Sequence, residues 1–83
     1  MRIDAFLEES GWTEQQLAAA ARSSQSTINR LKNDEMEAGL ELSLRIETAT
    51  GGKVRAEDVP MTTDTRQALL AVRNAARAQE PAA

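Results

Sequence analysis

A three-residue break, Arg22-Ser23-Ser24, separates two stretches that both read as helix. That spacing constrains this chain more than any other feature, because two helices joined by so short a turn must cross and pack. The start of the first stretch is sharply marked. Thr13-Glu14-Gln15-Gln16 has the form of a capping box, in which a threonine hydroxyl and a glutamine amide satisfy two orphan backbone N–H groups. Trp12 before the cap and Leu17 after it are spaced as a hydrophobic staple. Ser23 or Ser24 can cap the second stretch, which runs to about Asn33. Leu17, Ala21, Ile28 and Leu31 then supply the apolar contacts, and Ala18 is small where the two helices cross.

The remainder of the chain reads the same way. Alanine, leucine, glutamine, glutamate and arginine dominate, and no run alternates as a strand would. A first helix is predicted over Arg2–Ser10, with Ile3, Phe6 and Leu7 on one face and Gly11 as its C-cap. After an Asn33–Gly39 loop, a fourth helix covers about Leu40–Thr50 and stops at Gly51-Gly52. Pro60 and Thr62-Thr63-Asp64 separate it from a fifth, about Asp64–Ala78, and Gln79–Ala83 is expected to fray. The expectation is an all-α domain of about five helices: a core over 1–60, a C-terminal helix over 61–78 and a tail over 79–83. On the fourth helix Leu40 and Leu44 fall on one side, while Leu42, Ile46 and Ala49 fall nearly opposite. Either the fifth helix covers one side within the monomer, or a second subunit does, or both.

Composition removes several functions. With no cysteine and no histidine, the usual transition-metal ligands and imidazole acid–base chemistry are missing, so no cofactor and no catalytic step are expected. No 18-residue apolar run exists and the start is too polar for a signal peptide, which gives a cytoplasmic expectation with no membrane and no small-molecule substrate as partner. A net charge of −3 argues at first sight against nucleic acid. Local charge decides that question, however. Residues 13–34 carry Arg22, Arg30 and Lys32 against Glu14 and Asp34, whereas residues 35–50 carry Arg45 against four glutamates. Those glutamates, 35, 37, 41 and 47, are expected to form a solvated face turned away from any DNA.

The second helix of the pair carries the functional signal. Ser26, Asn29, Arg30 and Asn33 form one stripe opposite Ile28 and Leu31, with Gln25 in the first turn. The stripe holds hydroxyl, amide and guanidinium groups and no carboxylate before Asp34. Amides pair bidentately with adenine, and arginine with guanine, in the major groove.

Residues 17–30 (LAAAARSSQSTINR) resemble the helix-turn-helix of phage Cro and repressor proteins. Residues 40–59 (LELSLRIETATGGKVRAEDV) are similar to Cro-like, YdaS-type prophage regulators, whose branch also fits a C-terminal region that reads as helix. The resemblance spans about residues 13–60. It implies a lambda-repressor-like domain acting as a homodimeric repressor on a double-stranded, pseudo-palindromic operator. It further implies base reading by Gln25, Ser26, Asn29 and Arg30, and a phosphate contact from Gln15 or Gln16. Asn33, on the same stripe, joins the base-reading candidates, and Arg22, Ser24 and Lys32 join Gln15 and Gln16 as phosphate candidates. The expected dimer interface is Leu42, Ile46, Leu69, Leu70 and Val72. Two departures stand out. Arg22 occupies a turn position where the family usually has glycine, and Ser23 follows where an apolar residue is usual. Either the turn is displaced by a residue or it is held under mild strain.

An antitoxin-like or adaptor module that keeps the helix-turn-helix shape is the rival reading, fed by the net acidity and the two-sided fourth helix. Gly51-Gly52 reads as a helix stop, since no Lys-Ser/Thr follows as a phosphate loop requires. Glu57 and Asp58, with no cleft implied, read as structural.

Overall fold

The computed structural model describes residues 1–78, so the fraying expected of Gln79–Ala83 lies outside the described residues. Five α-helices follow one another: α1 (Ile3–Ser10), α2 (Glu14–Ala20), α3 (Gln25–Lys32), α4 (Leu40–Ala49) and α5 (Thr63–Ala78). A 3₁₀ turn, Ala56–Asp58, lies between α4 and α5; the sequence reading had no signal for it. There is no strand among the described residues.

Each helix end has a local cause. The Thr13 hydroxyl accepts from the Gln16 N–H (3.1 Å) and the Gln16 side-chain oxygen accepts from the Thr13 N–H (2.9 Å), closing the capping box that starts α2. Ser24, the second of the two possible caps, starts α3 by accepting from the Thr27 N–H at 3.1 Å. Three helices end in the same way. The Ser23 N–H reaches the Ala18 carbonyl, Glu35 reaches Arg30, and Gly52 reaches Glu47, each at 2.8 Å. These are Schellman closures, which place the preceding residue in the left-handed region. Gly51 takes that position without strain at φ 64°, but Arg22 (φ 56°) and Asp34 (φ 58°) take it as L-residues. The turn between α2 and α3 is therefore not displaced. Arg22 simply adopts the glycine conformation.

The core forms where the apolar stripes of the helices meet. Ile3, Phe6, Leu17, Ala18, Ala21, Ile28, Leu31 and Ile46 are all buried together, with Val54 and Val59 closing one end. Trp12 is more than a third exposed and meets Phe6 edge to face, ring centroids 5.4 Å apart. The two apolar sides of α4 are both covered from within the chain. Leu42, Ile46 and Ala49 join the main core, while Leu40 and Leu44 pack against Ala56, Met61 and Leu69. Hence two expected interface residues, Ile46 and Leu69, have no surface left for a partner.

Buried polar groups are satisfied locally. Thr50 Oγ1 accepts from the Val54 N–H (3.0 Å) and donates to the Ile46 carbonyl (3.0 Å), fixing the double-glycine turn after α4. Ser43 donates to the Gly39 carbonyl at 2.6 Å. Outside the core, Arg73 of α5 lies between Glu57, 2.8 Å away, and Glu47, to which it also donates. Glu47 additionally accepts from the Ala56 N–H at 2.9 Å. It is thus a half-buried member of an ion-pair network, not one of a solvated acidic row, because α5 and the 3₁₀ turn bring two arginines and a backbone donor onto it. Glu57 and Asp58 do prove structural: Glu57 pairs with Arg73, and Asp58 accepts from the Arg55 N–H at 3.1 Å.

Candidate nucleic-acid interface

Ile28 and Leu31 are completely buried, and this fixes which face of α3 looks outward. Ser26, Arg30 and Asn33 are exposed on that face, as is Gln25 in the first turn. Arg30 has no ion-pair partner among the described residues, so its guanidinium is available to a ligand. Asn29 differs from these. It is half-buried, and its side-chain NH2 donates to the Glu14 carboxylate at 3.1 Å. Its oxygen weakly accepts from the Asn33 side chain at 3.4 Å.

Glu14 stands at the start of α2 and faces this surface. Lys32 lies 2.7 Å from its carboxylate, and both side chains are largely shielded, 30% and 18% exposed. The Lys32 hydrogen bond, followed by that of Asn29, holds the Glu14 carboxyl below the usual carboxylate range, against the opposing effect of burial. Glu14, Gln25, Ser26, Asn29, Arg30 and Glu35 together line an open groove of about 300 Å³ between the start of α2 and the outer face of α3. The sequence reading placed every polar member of the stripe but gave Glu14 no part in it. Periodicity does not mark Glu14, because its approach to the middle of α3 is a tertiary contact between residues 15 apart.

The phosphate candidates divide into three kinds. Gln15 and Arg22 are exposed, Gln15 in the first turn of α2 and Arg22 at the turn. Gln16 and Ser24 use their side-chain oxygens as helix caps, so neither oxygen is free, although the Gln16 NH2 is not used in the cap. Lys32 is held by Glu14. The turn itself is supported from α4, where Arg45 Nε donates to the Ala21 carbonyl at 2.8 Å while Nη1 pairs with Glu41 at 2.9 Å.

Two short helices, a tight closed turn, a buried alanine at the crossing and an exposed polar outer face make a helix-turn-helix. A family model described as Helix-turn-helix matches residues 3–55, which is α1 through the segment after α4. The chain belongs to this family. It is a lambda-repressor-like helix-turn-helix domain, and its role is that of a DNA-binding transcription regulator. No curated protein and no solved structure matches the chain. No helix among the described residues is long and apolar enough to cross a membrane.

Proposed function

We propose that this helix-turn-helix protein is a repressor that binds a pseudo-palindromic operator as a homodimer, with α3 of each subunit in the major groove. The outer face of α3 carries this reading. Gln25, Ser26, Arg30 and Asn33 project from a helix whose other side is wholly buried, and no residue of α3 is acidic. Arg30 is the residue best suited to a bidentate contact with guanine, because nothing among the described residues competes for it. Gln15, the Gln16 NH2 and Arg22 flank the groove and would fix register on phosphates.

One recognition helix spans only a few base pairs, so two acting across a dyad supply a usable operator, about 34–36 Å apart. With Ile46 and Leu69 in the monomer core, the apolar surface left for dimerisation is on α5, where Leu70 and Val72 are 49% and 40% exposed. Leu42, partly buried against the core, is at most a margin of it.

Selection from a duplex library with a randomised centre should yield a dyad-symmetric site. Arg30→Ala should then weaken that site by about 1–3 kcal/mol while leaving random-sequence binding much less affected. Equal losses on both would remove Arg30 from base reading. Analytical ultracentrifugation of wild type and a Leu70→Lys, Val72→Lys variant tests the dimer, and a wild-type monomer at tens of micromolar overturns it. A transcription assay with the selected site placed across a promoter tests repression, and unaltered or increased transcript counts against it.

A further inference from the structure

We propose that Glu14 determines the base preference of the recognition face by holding the Asn29 amide in one orientation and withholding Lys32 from DNA. The inference rests on α3 being the reading helix. A carboxylate can only accept, so the Asn29 atom facing it, at 3.1 Å, must be the NH2 group. One N–H of the amide is thereby held by Glu14, which leaves the second N–H and the oxygen, in a fixed orientation, for a base edge.

An asparagine reads adenine bidentately by offering both halves, the oxygen to N6–H₂ and the NH2 to N7. With one N–H on Glu14, Asn29 keeps its other N–H and its oxygen in a fixed order. That donor–acceptor pair matches adenine. Glu14 therefore fixes Asn29 as an adenine reader. Lys32 is held by the same carboxylate. Its ammonium lies 2.7 Å from the same carboxylate, which satisfies its charge and keeps it from acting as a phosphate contact. Glu14 and Glu35 are the two carboxylates lining the groove. Glu35 makes no hydrogen bond to the reading side chains, whereas Glu14 engages two of the residues expected to contact DNA.

Glu14→Gln tests this in the full-length chain. Gln is isosteric, and the Thr13–Gln16 capping box that starts α2 does not use the Glu14 side chain; a thermal melt confirms that the fold is retained. Library selection with wild type should show one position per half-site that selects adenine. The variant, whose amide can meet Asn29 with either end, should weaken that preference, and Asn29→Ala should remove it. On a random-sequence duplex, the salt dependence of Glu14→Gln should steepen by about 0.9 in log–log slope, the signature of one extra neutralised phosphate. Lys32→Met in the Glu14→Gln background should return the slope to the wild-type value. Identical base preference and slope in wild type and Glu14→Gln would overturn the inference while leaving the DNA-binding reading intact. A wild type that selects no duplex, or whose site is insensitive to Arg30→Ala, would instead remove the reading helix itself and the inference with it.

Discussion

Arg22→Gly should stabilise the protein, although it deletes a charged side chain at the centre of the functional motif. Arg22 has φ 56° in the turn between α2 and α3. For an L-residue the left-handed conformation costs roughly 1–2 kcal/mol, because Cβ approaches a carbonyl oxygen. Glycine escapes that clash but loses about 0.5–1 kcal/mol through its greater freedom in the unfolded chain. The Arg22 side chain is exposed, and the contact that buttresses the turn, Arg45 to the Ala21 carbonyl, does not involve it. The difference is a net gain of about 0–1.5 kcal/mol. Its midpoint, about 0.75 kcal/mol, raises the melting temperature of a domain of this size by roughly 3–6 °C. Thermal melts by circular dichroism measure it. Arg22→Ala is the control that removes the same charge and keeps the backbone penalty, so it should melt close to wild type. Asp34→Gly should gain less than Arg22→Gly, since aspartate tolerates φ 58° better and the change deletes two hydrogen bonds from Arg2, at 2.9 and 2.8 Å. Gly51→Ala, at φ 64° in the same kind of closure, should destabilise. If Arg22→Gly melts at or below the Arg22→Ala variant, the backbone argument fails.

Ala18→Leu should destabilise by about 1–3 kcal/mol through overpacking where α2 crosses α3, whereas Ala19→Leu, on an exposed position, should be nearly neutral; urea titrations compare them. Equal midpoints would mean that the crossing lies elsewhere. The Arg73 network predicts an acid sensitivity. The Arg73 hydrogen bond holds the Glu57 carboxyl down from 4.5 to about 2, and Glu47 is lowered by the same partner. A carboxylate depressed in the folded state stabilises fully above its unfolded value and gives that up as pH falls through its folded one. Wild type should therefore lose stability from about pH 4.5 toward pH 2, and Arg73→Met should be less stable at neutral pH with a shallower loss on acidification. Parallel pH profiles for the two proteins would detach the network from stability.

The fold was legible because its determinants are local. Thr13 with Gln16, and Ser24 with Thr27, start α2 and α3 through bonds between residues three apart, and such bonds can be read along a line of sequence. The two-sided pattern of α4 was equally plain, but what covers each side depends on the path of the chain after Gly52. A 3₁₀ turn with no strong periodicity brings Ala56 and Met61 under Leu40 and Leu44, and so turns Leu69 into core. Glu47 reads as solvated from sequence for the same reason, since its partners Arg73 and the Ala56 N–H are distant along the chain. On the outer face of α3, side-chain type and stripe were legible, but the commitment of Asn29 and Lys32 to Glu14 was not. Periodicity shows which way a residue points and nothing of what already waits there.

The acidic balance of the chain has a physical bearing on how it can bind a polyanion. Glu47 and Glu57 surround Arg73, Glu41 pairs with Arg45, and Asp34 pairs with Arg2, so much of the negative charge is answered within the fold. The cost is that cations are answered too, and Lys32 is one that α3 would otherwise present. The chain is left with Arg22 and Arg30 as its exposed cations around the α2–α3 unit. Non-specific affinity scales with the number of phosphates neutralised, so such a surface attracts random DNA weakly. For a DNA-binding regulator, discrimination then has to come from hydrogen bonds to base edges more than from charge. For a regulator with so few free cations, the ratio of specific to non-specific binding rises even as total affinity falls.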